Sequence, residues 1–315
     1  MTSKNVLVTG GTGFIGFNLV KKLLKDGFNV TVLDNNSRGN IEKLNDYKKE
    51  INFVDCDIRD FDKVKKSTKN INKVFHLAAI NGTKNFYDNP ADVIEVGVKG
   101  MINIIDSCIM NNVSEFYLAS TSEVYNLPPK IPTDENVRMI IPDVHNPRYS
   151  YSSSKIISEM YLLNFGHKYF NKSIIFRPHN VFGPDMGNDH IIPEIINKIN
   201  YCKKLNNNAL PIQGNGSETR SFIYIDDFIH ALSLIIKKGK NKNIYNIGND
   251  DEIKILDVIK DIITLSKQKL NINFTNNIEG STPRRCPDIS KIKNLGYKRS
   301  FKFLDSLKIT YDSYL

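Results

Sequence analysis

Val6-Leu7-Val8-Thr9 runs directly into Gly10-Gly11-Thr12-Gly13-Phe14-Ile15-Gly16, and Asp34 follows 18 residues after the last of these glycines. The apolar run Val6 to Val8 reads as a buried first strand. Ile15, Leu19, Val20, Leu23 and Leu24 fall on one face of a helix, which is therefore expected over Ile15 to Leu24. Between strand and helix, glycines let the backbone approach a pyrophosphate closely, and the turn aims it at a helix N-terminus whose unpaired N–H groups favour anions. A second strand, Phe28 to Leu33, ends at Asp34. A carboxylate there accepts hydrogen bonds from both ribose hydroxyls of a dinucleotide and repels a 2′-phosphate, which favours NAD over NADP. Arg38, four residues on, weighs against that preference. Glycine-rich turns arise for many reasons, but strand, turn, helix, strand and acid in this order point to a dinucleotide site.

Further along, Ile51 to Val54, Val74 to Leu77 and Phe116 to Leu118 read as strands, separated by helical segments around Lys63 and over Val93 to Met110. This βαβ rhythm predicts an α/β fold built on a doubly wound parallel sheet of the Rossmann type. Ligands of such sheets sit at the carboxyl ends of the strands. The expected cofactor contacts are therefore Gly10, Gly13, Phe14, Ile15, Gly16, Asp34, Asn35, Arg38, Asp57, Ile58, Leu77, Ala78 and Ala79. Asp57 is placed to accept the adenine amino group, and the small Ala78 and Ala79 let backbone pass close to the cofactor.

Length and charge narrow the alternatives. The 315 residues suffice for about two domains. No apolar stretch reaches membrane-spanning length and the N-terminus enters a strand at once, so neither a membrane partner nor a signal peptide is expected and the location reads as cytoplasmic. Cys56, Cys108, Cys202 and Cys286 are far apart with no CxxC pair, so no metal, redox motif or disulfide framework is expected. The net charge of +9 comes from 43 Lys and Arg against 34 Asp and Glu, scattered on predicted helix faces apart from a run at Lys237, Lys238, Lys240 and Lys242. Basic residues are not interleaved with aromatics, which argues for a solvated lysine-rich surface and against nucleic acid.

Tyr151 and Lys155 lie four apart in a segment whose spacing suits a helix, so both occupy one face. A lysine ammonium one turn from a phenol is expected to lower the phenol's pKa from about 10. The phenolate can then take a proton from a sugar hydroxyl while nicotinamide takes the hydride from the same carbon. Thr121, at the end of the fifth strand, is placed to hold the substrate oxygen. A lone Tyr-x-x-x-Lys is common by chance; thirty residues after a strand-end threonine and downstream of a dinucleotide turn, it marks a catalytic site.

With these residues the chain resembles the extended short-chain dehydrogenase/reductases, in particular their nucleotide-sugar epimerases, dehydratases and decarboxylases. The resemblance rests on the glycine turn, Asp57-Ile58-Arg59-Asp60, His76-Leu77-Ala78-Ala79, Ser120-Thr121-Ser122-Glu123-Val124-Tyr125, Tyr151 with Lys155, and Arg177-Pro178-His179-Asn180-Val181-Phe182-Gly183-Pro184. It implies a Thr121, Tyr151 and Lys155 triad, with Lys155 also holding the nicotinamide ribose. Residues 1–177, together with part of 222–248, are expected to bind NAD, and a smaller C-terminal unit of residues 178–315 to bind the nucleotide sugar. Ser122, Asn180, Arg220, Arg285 and Asp288 are the substrate contacts that the resemblance implies, since guanidinium forks suit the two phosphates of a UDP-, GDP-, dTDP- or CDP-sugar. The resemblance also implies a homodimer through a four-helix bundle formed by Val93 to Met110 and Tyr151 to Tyr169. His179 and His190 are expected in packing or polar-loop roles, and the proline-rich loop from Leu127 to Pro147 at the mouth of the pocket. Asn126 departs from the glycine common after Val-Tyr in this family.

The chemistry common to the family is oxidation of a sugar carbon, usually C4, to a ketone. Glu123, two residues after Thr121, is a candidate proton-transfer group for a 4,6-dehydratase or a uronate-type decarboxylase. Simple 4-epimerases usually lack an acid there. A non-catalytic dinucleotide sensor is the alternative of another class, and such proteins typically lose the tyrosine or the lysine.

Overall fold

The computed structural model describes residues 4–188, 190–275 and 282–315. In chain order the elements are β1 Asn5–Thr9, α1 Phe14–Lys25, β2 Asn29–Asp34, β3 Ile51–Asp55, α2 Phe61–Ser67, β4 Lys73–His76, α3 Thr83–Asp88, α4 Pro90–Met110, β5 Glu115–Ala119, α5 Ser150–Asn164, β6 Lys172–Pro178 and β7 Val181–Phe182. They continue with α6 Ile191–Lys204, β8 Ala209–Gln213, β9 Thr219–Arg220, β10 Ile223–Tyr224, α7 Ile225–Lys238, β11 Asn243–Ile247, β12 Ile253–Lys254, α8 Ile255–Ser266, β13 Asn271–Thr275, β14 Arg284–Arg285, α9 Ser290–Asn294 and α10 Phe303–Asp312.

Among the described residues, seven strands form one parallel sheet in the order β11-β6-β5-β4-β1-β2-β3. Strand β1 lies between β2 and β4, with Val8 opposite Val32 on one side and Phe75 on the other. The chain therefore winds outward in both directions from β1, which opens a crevice at its carboxyl end where the glycine turn sits. Side chains alternate between the two faces as the strand period demands. Val6, Val8, Val32, Phe75, Tyr117, Ile174 and Phe176 join the core beneath α1 and α7, which continues into α6, α8 and α10. Leu7, Leu33, Val74, Phe116, Leu118 and Ile175 face α2, α4 and α5 on the other side.

Strand β11 pairs with β6, Tyr245 opposite Phe176, so a late segment returns to complete the sheet. The remaining short strands form three small sheets, β10-β7, β12-β9-β14 and β13-β8. The helix expected from Tyr151 to Tyr169 is shorter: α5 stops at Asn164 and a 3₁₀ turn covers Gly166–Lys168. Gly166, a poor helix former, follows the last turn, and Phe165 stacks on Tyr161. Asn126 has φ of 47°, a left-handed backbone that glycine or asparagine tolerates best, which accounts for its replacing a glycine.

Candidate active site

A cavity of about 540 Å³ runs along the carboxyl ends of β1, β2, β4 and β5. All of the expected cofactor contacts line it, together with Thr121, Ser122, Glu123, Tyr151, Lys155, Asn180 and Arg285. Its dinucleotide end is built by close backbone approach. Gly10 has φ of 71°, and a Cβ there would meet the Ala78 amide nitrogen at 2.8 Å. A Cβ on Gly16 would sit 2.0 Å from the Gly10 carbonyl oxygen, so α1 can start this close to β1 only with glycine there. Gly13 caps α1 without a side-chain hydrogen bond and the first turn carries no acid. Its N–H groups thus offer an anion site with no competing carboxylate, which fits the diphosphate of a dinucleotide.

Asp34 closes the end of β2. Its two carboxylate oxygens accept from the Thr12 amide at 3.0 Å and the Asn36 amide at 2.9 Å, which holds the group in place with further lone pairs toward the cavity. Asp57 is more heavily engaged than its position in the sequence suggests. Arg59 grips it through Nε and Nη2, the latter at 2.8 Å, and this hydrogen bonding holds the Asp57 carboxyl below its usual range. The same guanidinium reaches Asp92 and Glu95 of α4.

At the other end, α5 presents Tyr151 and Lys155 on one face, both buried. The Tyr151 ring stacks on Phe86 of α3, with centroids 5.2 Å apart and planes 9° apart. Lys155 Nζ donates to the Ala119 carbonyl at 2.8 Å and lies 6.0 Å from the Tyr151 ring centroid. The expected lowering of the phenol by Lys155 is not what this geometry produces. Burial, followed by the charge of Glu123, pushes Tyr151 up; a hydrogen bond from Thr121 and the charge of Arg38 work against that rise. Burial also pushes Lys155 down to about 8, with the charge of Glu159 opposing it. Thr121 caps the turn Ser122–Tyr125, its Oγ1 accepting from the Glu123 amide at 3.2 Å.

Arg285 Nη1 and Glu123 Oε1 lie 3.6 Å apart. A small void beside this pair is lined by Asn126, Leu127, Arg148, Tyr149 and Thr282. Arg220 does not line the main cavity; its Nη1 donates to the Thr219 carbonyl at 2.8 Å. Burial and the charge of Arg285 push Arg220 down to about 10. Asp288 is not brought to the cavity either: its carboxylate accepts from the Ser290 amide at the start of α9. The Leu127 to Pro147 loop is tied to the segment after Arg285, Thr133 donating to the Cys286 carbonyl and accepting from the Asp288 amide. His190 lines the cavity, whereas His179 is buried against Asn246.

Sequence reasoning missed Phe86 and Glu159, and gave Arg59 no role beyond its place in Asp57-Ile58-Arg59-Asp60. Only Arg59 had a signal, since it lies two residues after Asp57. Among the described residues no cluster of His, Cys, Asp and Glu is arranged to hold a metal, and no helix is long and apolar enough to cross a membrane.

Comparison with known proteins identifies relatives of the whole chain. A putative UDP-glucose 4-epimerase of Methanocaldococcus jannaschii is 32% identical over 96% of this chain and 96% of its own. A dTDP-D-glucose 4,6-dehydratase of Dictyostelium discoideum is 32% identical over 98% of this chain and 81% of its own. The chain spans only 47% of a trifunctional UDP-glucose 4,6-dehydratase, epimerase and reductase of Arabidopsis thaliana, to which it is 30% identical. The solved UDP-N-acetylglucosamine 4-epimerase of Methanobrevibacter ruminantium, in complex with UDP-N-acetylmuramic acid, superposes with a TM-score of 0.88 at 26% identity, covering 100% of this chain and 99% of that one. The family model described as the NAD dependent epimerase/dehydratase family matches residues 6–248, and the chain belongs to that family.

Proposed function

We propose that the protein is an NAD-dependent nucleotide-sugar 4-epimerase. NAD is held by the glycine turn, α1 and Asp34; when bound, it accepts a hydride from the sugar carbon and returns it. Residues 178–315 receive most of the nucleotide sugar, with Asn180 and Arg285, which line the cavity, toward its diphosphate. Tyr151 takes the proton from the C4 hydroxyl and gives it back after the ketone has turned over in the site. Thr121 holds the same oxygen through its hydroxyl. Lys155, anchored at the Ala119 carbonyl, supplies positive charge beside the phenol, and Phe86 stacks against the ring and shields it from water.

The observation that carries the choice of outcome is the Glu123–Arg285 pair. Eliminating a hydroxyl beta to the ketone needs one group to take the carbon proton and another to protonate the leaving oxygen. Glu123 is engaged by a guanidinium and its neighbour Ser122 is no acid, whereas epimerisation needs only Tyr151. Elimination remains the second reading because Glu123 lines the cavity two residues from Thr121.

Product analysis in D₂O with UDP-, GDP-, dTDP- and CDP-sugars distinguishes the two. Epimerisation leaves product carbons free of solvent deuterium and survives Glu123→Gln; carbon-bound deuterium in a deoxy-keto product, lost in that variant, would establish elimination. Ile94 of α4 and Ile157, Met160 and Phe165 at α5 are exposed apolar side chains on adjacent helices, the face we assign to a second copy of the chain. Light scattering that finds a dimer in the native protein and a monomer in Met160→Lys supports this.

A further inference from the structure

We propose that Glu159 is a positioning residue for the proton transfer, acting through Lys155 on one side and through Ser120 and Thr121 on the other, with Arg177 as its fixed counter-ion. This rests on the reading of Tyr151 and Lys155 given above. Glu159 sits one helical turn after Lys155 on α5 and is 1% exposed. Its Oε1 accepts from Arg177 Nε at 2.9 Å and from the hydroxyl of Ser120, the residue before Thr121; Oε2 pairs with Arg177 Nη2. Arg177 is itself 1% exposed and its Nη1 donates to the Tyr125 hydroxyl at 2.8 Å, so the guanidinium cannot swing away.

Burying an ion pair is costly, and replacing one with apolar groups is often neutral or stabilising, so its presence between the catalytic helix and the Thr121 turn calls for a role. The charges facing Lys155 are few. His76, on β4, is kept neutral by burial, which pushes it down to about 3, and the Tyr151 ring adds no charge. Glu159 is the charge that opposes the loss of the ammonium proton, beside the hydrogen bond from Nζ to the Ala119 carbonyl. On the far side, Tyr125 and Glu135 face Arg177 rather than Lys155; burial pushes Tyr125 up to about 12 and raises Glu135. Removing the negative charge at 159 therefore lets Lys155 deprotonate at lower pH. Removing the carboxylate also frees Ser120, and with it the start of the Thr121 turn.

The test uses NAD-loaded protein with ¹³C-labelled lysine, the Lys155 resonance being assigned by its absence in Lys155→Arg. In Glu159→Gln the Lys155 titration moves down by about one pH unit, at the small end of what a neighbouring opposite charge produces, and Glu159→Asp restores it. The alkaline limb of turnover moves down by the same amount, while KM changes less than twofold. Because Glu159→Gln leaves Arg177 unpaired, the double variant Glu159→Gln with Arg177→Met provides a second folded background, in which the displacement keeps its direction but is smaller because the guanidinium charge is gone as well. An unmoved Lys155 titration in either variant, with activity lost equally at all pH values, would overturn the proposal and leave the pair a purely structural one. Should the proposed reaction itself be wrong, the native protein fails to turn over any nucleotide sugar while the lysine titration still moves.

Discussion

Glu123 Oε1 and Arg285 Nη1 meet at 3.6 Å, the carboxylate from the turn after β5 and the guanidinium from β14. The pair joins the carbon-reacting end of the cavity to the group assigned to the diphosphate, and Arg148 adds a repelling charge next to Arg285. A diphosphate competes with Glu123 for the same guanidinium. Glu123→Gln should therefore tighten UDP binding to the NAD-loaded protein by roughly threefold to tenfold, on the scale of a partly exposed ion pair. Arg285→Ala should weaken it by roughly tenfold to a hundredfold. Isothermal titration with UDP reads both, and a change in the same direction would refute the competition.

Gly16→Ala places a methyl group against the Gly10 carbonyl. Moving α1 away from β1 to relieve it should cost on the order of 1–3 kcal/mol and open the anion site. Thermal melting with and without NAD checks this: the variant melts lower, and NAD no longer raises its Tm.

Asp34, which we assign to the cofactor ribose, also anchors the Thr12 and Asn36 amides. Asp34→Ala should lower NAD affinity by at least about tenfold and narrow its advantage over NADP, the carboxylate that repels a 2′-phosphate being gone. Fluorescence titration with the two dinucleotides measures the ratio; an unchanged ratio would show that Asp34 does not read the ribose.

Acid stability follows from two buried histidines. Burial pushes His76 and His179 down to about 3 from 6.5. The folded chain then binds fewer protons than the unfolded chain, so the stability present above pH 6.5 is lost as pH falls toward 3. The slope is roughly 1.4 kcal/mol per pH unit for each histidine. Urea midpoints between pH 7 and 4 should fall accordingly, and less steeply in His179→Gln.

Much of this was legible in the chain. The first strand, the glycine turn and Asp34 announce themselves through local periodicity and short spacing, and Tyr151 with Lys155 through a helical interval, so their placement needed no knowledge of packing. The electrostatics of that pair were not legible. Whether Lys155 lowers the phenol depends on how deeply α5 is buried and on where Nζ goes, and it goes to the Ala119 carbonyl. Phe86 lies 65 positions before Tyr151 in the chain, and Glu159 meets Ser120 from 39 positions away; contacts of that range leave no pattern in a single sequence. Asp288 shows the converse. The family resemblance implies a substrate contact for Asp288, whereas in the fold its carboxylate accepts from the Ser290 amide at the start of α9 and does not line the cavity.

The central claim is that Tyr151 moves the proton while NAD takes the hydride at one sugar carbon. Rapid mixing of the NAD-loaded protein with the turned-over nucleotide sugar, followed by nicotinamide absorbance, tests it most directly. The account predicts transient reduction in the native protein, slowed at least about a hundredfold in Tyr151→Phe, the scale of a lost general base. Native-rate reduction and full turnover in Tyr151→Phe would contradict it.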